Sequence, residues 1–126
     1  MAAEPPQVEV VLRGNVSITD VQRTGGQGDF SVGTVRGMVS RRVRAIQSCY
    51  ERELRSDPTI AGRVKVTLRI EETGAIGATS VAENTTGSDA TASCVQRTVR
   101  RFRFNPGPVG GSVEMALDLT FSPQPR

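Results

Sequence analysis

The stretch GRVKVTLRIEETGAI (62–76) decides the fold. Val64, Val66, Leu68 and Ile70 alternate with Arg63, Lys65, Thr67, Arg69 and Glu71. A period of two puts the apolar side chains on one face of a strand and the polar ones on the other. One face is buried and the other wet, as in an antiparallel sheet covered on a single side. Glu72-Thr73-Gly74 then forms a hairpin turn, with Gly where the backbone needs positive φ. The return strand, about Ala75–Glu83, alternates poorly, because Ile76 and Val81 have opposite parity. A bulge near Ala78–Ser80 accounts for the change.

Upstream, Val35, Val39, Val43, Ile46, Tyr50 and Leu54 recur at three- and four-residue spacing, while Arg41, Arg42, Arg44, Arg52 and Arg55 lie largely off that stripe. This predicts one amphipathic helix, capped by Thr34 and stopped near Ser56 by Pro58. Gly37 weakens its first turn by roughly 1 kcal/mol relative to Ala. Downstream, Ser88 or Asp89 caps a second helix that carries Ala92, Val95, Val99 and Phe102 on one face. Asn105-Pro106-Gly107-Pro108 ends it, and Gly110-Gly111 leads into a last strand. There Val113, Met115, Leu117, Leu119 and Phe121 alternate with Glu114, Ala116, Asp118 and Thr120.

The N-terminal third carries weaker signals. Residues 1–33 are expected to be a linker with one short strand over Val8–Leu12, and Asn15–Phe30 holds too much Gly for regular structure. Residues 34–122 are the expected domain, and 123–126 a loose tail. The element order is (β)–α–β–β–α–β. It predicts an α+β fold with two helices packed on one face of a small antiparallel sheet of three to four strands.

The chain has 126 residues, enough for one domain, with 37% hydrophobic and 4% aromatic residues and no Trp, so its core is modest and aliphatic. The formal charge is +3, and of 16 basic residues only Lys65 is Lys. An Arg excess spread along the whole chain is a compositional habit rather than a nucleic-acid patch. Cys49 and Cys94 are the 2 cysteines, one in each expected helix. They form no CxxC motif, and with no His they cannot complete an ordinary zinc site. A structural disulfide, which requires an oxidising compartment, is the preferred reading, and two buried reduced thiols are the competing one.

The run CYERELRSDPTIAGRVKVTLRIEETGAI (49–76), the lone Cys94 and the run RRFRFNPGPVGGSVEMALDLTF (100–121) together resemble the TonB-like C-terminal domain of the AgmX/PglI type, typified by myxobacterial adventurous gliding motility proteins. The similarity covers about residues 34–122. It departs from the family at Phe102, where Trp is common, and in a less aromatic last strand. The resemblance implies pairing of Cys49 with Cys94, no catalysis, a periplasmic location and a parent protein anchored in the inner membrane. No stretch of the sequence is apolar enough to span a bilayer, and no signal peptide is recognisable, so any anchor of an exported protein is expected outside it.

Catalysis is not expected. Glu51 and Glu53 point to different sides of a helix, and GGQG (25–28) lacks the Lys-Ser/Thr of a phosphate loop. No cofactor or metal is expected either. Two binding surfaces remain. The last strand, Val113–Phe121, holds no Pro or Lys to blunt an edge, and could accept an extended segment of a periplasmic or outer-membrane partner as an added strand. Equally, Val8–Leu12 could cover that edge, and an exchangeable N-terminal strand would allow strand-swapped dimers. The alternative surface is basic: Arg97, Arg100, Arg101 and Arg103 could bind lipid headgroups, nucleic-acid phosphates or envelope carboxylates. Against that, Arg near a helix C-terminus also complements the helix dipole and keeps the surface soluble.

Overall fold

The computed structural model describes residues 13–124. The expected strand over Val8–Leu12 lies outside them. The elements are β1 (Arg13–Gly26), α1 (Val32–Arg41), α2 (Val43–Leu54), β2 (Gly62–Ile70), β3 (Ile76–Asn84), α3 (Asp89–Arg100) and β4 (Val113–Gln124). The fold is α+β, with three helices and one four-stranded antiparallel sheet in the order β1-β4-β2-β3.

β2 and β4 behave as their alternation requires. Val64, Val66, Leu68 and Ile70 are buried beside Val113, Met115, Leu117 and Leu119. Leu117 faces Val66, and Leu119 faces Val64. Directly opposed residues of an antiparallel pair share a face, so the two strands form one continuous apolar layer. The opposite face carries Arg63, Lys65, Thr67 and Arg69 against Thr120, Asp118, Ala116 and Glu114. The hairpin turns at Gly74, with φ +88, where a Cβ would run into the Phe104 carbonyl. Two register shifts mark β3, one between the Lys65 and Val66 pairs and one between the Leu68 and Ile70 pairs. They bring Ile76 and Val81 to the core in spite of their parity.

Four expectations are corrected. Asn15–Phe30 is not a connector, because Arg13–Gly26 is a fourteen-residue strand paired along β4. Val16 opposes Phe121, Ile18 opposes Leu119 and Val21 opposes Leu117. The step from Ile18 to Val21 breaks a period of two, and a register shift at Thr19 restores the face. The glycines do not disrupt this strand; they end it. Gly14 is the exception inside the strand, since a Cβ there would collide with the Tyr50 ring.

The single N-terminal helix is in fact two. Arg42, with φ −107 and ψ 12, ends α1 and begins α2. No Gly or Pro marks this break. α1 buries Val35, Met38 and Val39, whereas α2 buries Ile46, Cys49, Tyr50 and Leu54, so the break lets each segment follow the twisted sheet beneath it. The cap lies three residues earlier than Thr34: the Ser31 Oγ accepts from the Thr34 N–H at 3.3 Å. α3 is capped by Ser88, whose Oγ accepts from the Thr91 N–H at 3.1 Å. Finally, β4 runs on to Gln124, which places part of the expected tail in the sheet.

The core is mainly Val, Ile and Leu, with Tyr50 fully buried in it. Its ring meets Phe121 edge-on, with centroids 5.2 Å apart, and its hydroxyl donates to the Ile60 carbonyl. Among the described residues, no helix is long and apolar enough to cross a membrane.

Candidate functional site

The site has three candidate parts: the cysteine clamp, the sheet edges and the arginines. Each follows from where the elements put its residues.

Cys49, on the second turn of α2, and Cys94, midway along α3, bring their sulfurs to 2.06 Å, with Cα atoms 5.6 Å apart. The pairing is a disulfide in this structure. Cys49 is buried, and Cys94 is partly covered at the edge of the core. Thr98 sits over the bond: its hydroxyl donates to the Cys94 carbonyl at 3.0 Å and lies 3.6 Å from the Cys49 Sγ. The clamp therefore joins the two helices that cover opposite ends of the sheet, α2 over β1 and α3 over β3. Further polar ties hold them down. The Glu51 carboxylate accepts from the Gly14 N–H at 2.8 Å, and the Gln47 side chain donates to the Gly14 carbonyl at 2.6 Å. On the other side, the Gln96 side chain donates to the Thr79 carbonyl at 3.1 Å.

The expectation of an open edge along Val113–Phe121 is overturned. β4 is an interior strand, with β1 on one flank and β2 on the other, so Val113, Glu114, Met115, Ala116, Leu117, Asp118, Leu119, Thr120 and Phe121 all stand opposite residues on both sides. Its backbone groups are used within the sheet and cannot receive a guest strand. Among the described residues the cover is β1, and Val8–Leu12 lies outside them. The edges of the described sheet are β1 and β3 instead. β1 offers fourteen residues without Pro or Lys, although Arg13, Asp20 and Arg23 put charge along it. β3 offers nine, interrupted by two register shifts. Sequence reasoning missed the β1 edge; the signal present was the apolar set Val16, Ile18 and Val21, hidden by its broken parity.

The four arginines do not form one patch. Arg97 and Arg101 line a groove between α2 and α3 together with Arg52 and the disulfide. Arg100 turns instead to β3, where its guanidinium lies 3.4 Å from the Thr79 Oγ1. Arg103 belongs to a separate bridge with Ala75. The ion pairs among the described residues are on the open face and the hairpin: Arg63 with Glu83 at 2.6 Å, Arg63 with Asp118 at 3.5 Å, and Arg69 with Glu71 at 2.8 Å. The Arg63–Glu83 and Arg69–Glu71 pairs are solvent-exposed and stabilise little, whereas the Arg63 Nε and Asp118 Oδ1 atoms of the third pair are buried.

Two titrating groups are displaced. Burial pushes the Tyr50 phenol up to about 12. The Thr59 hydroxyl, and then the Thr59 N–H, hold the exposed Asp57 carboxyl below its usual value. Neither has a nucleophile beside it. Among the described residues, no three His, Cys, Asp or Glu side chains are grouped to hold a metal ion. What the arrangement offers chemically is binding surface: two strand edges and a basic groove. Compared with protein-family models, curated proteins and solved structures, the chain matches none.

Proposed function

We propose that this chain is a non-enzymatic protein-interaction domain that docks an extended segment of a partner along the outer edge of β1. The carrying observation is the fourteen-residue strand Arg13–Gly26, which has β4 as its one neighbouring strand among the described residues; Gly14 at its start is tied to Glu51 and Gln47 of α2, so the edge on offer begins after it. An unpaired edge presents a row of N–H and C=O groups that a second extended chain satisfies, and the alternating side chains supply selectivity. β1 also lies where the clamp makes the sheet firm, since α1 and α2 both pack on it.

The disulfide supports an oxidising compartment, because such bonds persist outside the reducing cytosol. The TonB-like resemblance of residues 34–122 extends the reading. The domain would then be the periplasmic end of an envelope-spanning motility or transport adaptor anchored in the inner membrane. Its partner would be a periplasmic or outer-membrane protein segment. No reaction is assigned to it.

The test is an NMR titration of the full chain with extended peptides from envelope proteins, read together with amide hydrogen exchange. Binding should shift β1 resonances and slow exchange of β1 amides, while those of β4 are already slow. Shifts confined to the helices, or silence with every peptide that a pull-down from envelope extract identifies, would overturn the reading.

A further inference from the structure

The groove between α2 and α3 has a volume of about 340 Å³ and is lined by Arg52, Arg97, Arg101, Ser48, Thr98 and the two cysteines. Arg52 stands in the last turn of α2, Arg97 in the last turn of α3, and Arg101 is the α3 C-cap residue. None of these three guanidiniums has a carboxylate within ion-pair distance among the described residues, where every such pair involves Arg63 or Arg69. Two helix ends contribute about one negative charge between them, at roughly half a charge each. Three guanidiniums exceed it, so the groove stays positive.

We propose that this groove is a binding site for a compact phosphate group. The three arginines come from two helices and border one groove. Each is a planar fork that pairs two oxygens. A tetrahedral phosphate directs its oxygens to several forks at once, whereas a planar carboxylate engages one fork well. The disulfide holds the Cα atoms of the two helices 5.6 Å apart at this point, so the width of the groove is set before the anion arrives. The proposal is independent of strand docking at β1, which lies on the other side of α2.

The probe is inorganic diphosphate, titrated into the full oxidised chain at low ionic strength by calorimetry and NMR. Phosphatidylcholine vesicles with and without phosphatidic acid form a second arm, and tricarballylate is the carboxylate control. Diphosphate should shift the amides of Ser48, Arg52, Thr98 and Arg101. Arg97→Gln and Arg52→Gln should each weaken binding about tenfold, as expected for the loss of one charge-assisted contact. Arg55→Gln and Arg103→Gln, outside the groove, should change it by less than about twofold. Thermal melting verifies that the variants fold, and either groove variant suffices. Binding to diphosphate alone assigns a soluble phosphate as the source, and binding to phosphatidic acid vesicles alone assigns a lipid headgroup. Silence in both arms, equal affinity for tricarballylate, or equal loss in Arg103→Gln would overturn the site.

Discussion

Breaking the bond between Cys49 and Cys94 is the perturbation with the largest effect to be expected. The cross-link spans a sequence separation of 45. In the chain-entropy model, a loop of that length restricts the unfolded chain by about 4 kcal/mol at room temperature. A domain of this kind has a total stability of roughly 5–15 kcal/mol, so reduction removes a large share of it. For a chain of this size, 1 kcal/mol moves the melting temperature by about 4 °C, and the reduced protein should melt roughly 15 °C below the oxidised one. Thermal unfolding followed by circular dichroism, with and without a thiol reductant, measures the difference directly. The variant Cys49→Ala/Cys94→Ala should fall at least as far, because Cys49 is buried and its sulfur contacts are lost as well. A thiol assay on denatured, unreduced protein should find no free thiol. Two free thiols, or a shift below about 4 °C on reduction, would refute the claim that this bond is a principal stabiliser.

Other outcomes follow from single sites. Tyr50 is the 1 tyrosine of the chain and there is no Trp, so ultraviolet absorbance of the tyrosinate reports it alone. Its folded value, about 12, lies above the ordinary 10.0, so its contribution to stability is complete below pH 10 and is lost as pH rises through about 12. The native chain should titrate near the upper value and the denatured chain near the lower one. Leu117→Ala, at the centre of β4, should cost about 2–5 kcal/mol in denaturant unfolding. Val21→Ala should cost about 1.5–2 kcal/mol if β1 is an integral strand, and close to nothing if that segment is a connector. Gly74→Ala combines positive φ with a collision against the Phe104 carbonyl, and should cost more than about 1 kcal/mol.

The legibility of the chain varied with how local its signals are. β2, its turn at Gly74, α3 and β4 could be read because period and caps lie within a dozen consecutive residues. β1 could not, since the register shifts beside Thr19 and Thr24 exist only through pairing with β4. Without the first of them, Val21 does not share the face of Val16 and Ile18. The break at Arg42 left no mark either: the apolar stripe runs through it at an unbroken helical period. The cysteines were legible as a pair because there were no others, but their closeness depends on how α2 and α3 cross. The arginine run 97–103 was visible as charge, yet its division depends on helix phase and on Arg52, which is distant in sequence.

Composition and periodicity by themselves determined an α+β chain with an aliphatic core, one hairpin, an alternating last strand and two helix-borne cysteines. Those features arise from neighbouring residues, whose spacing fixes which side chains share a face. Strand order was decided by the tertiary structure alone, and it moved the open edge from Val113–Phe121 to Arg13–Gly26. Whether a strand is central or peripheral depends on which distant segment satisfies its second row of backbone groups, and no local pattern carries that information.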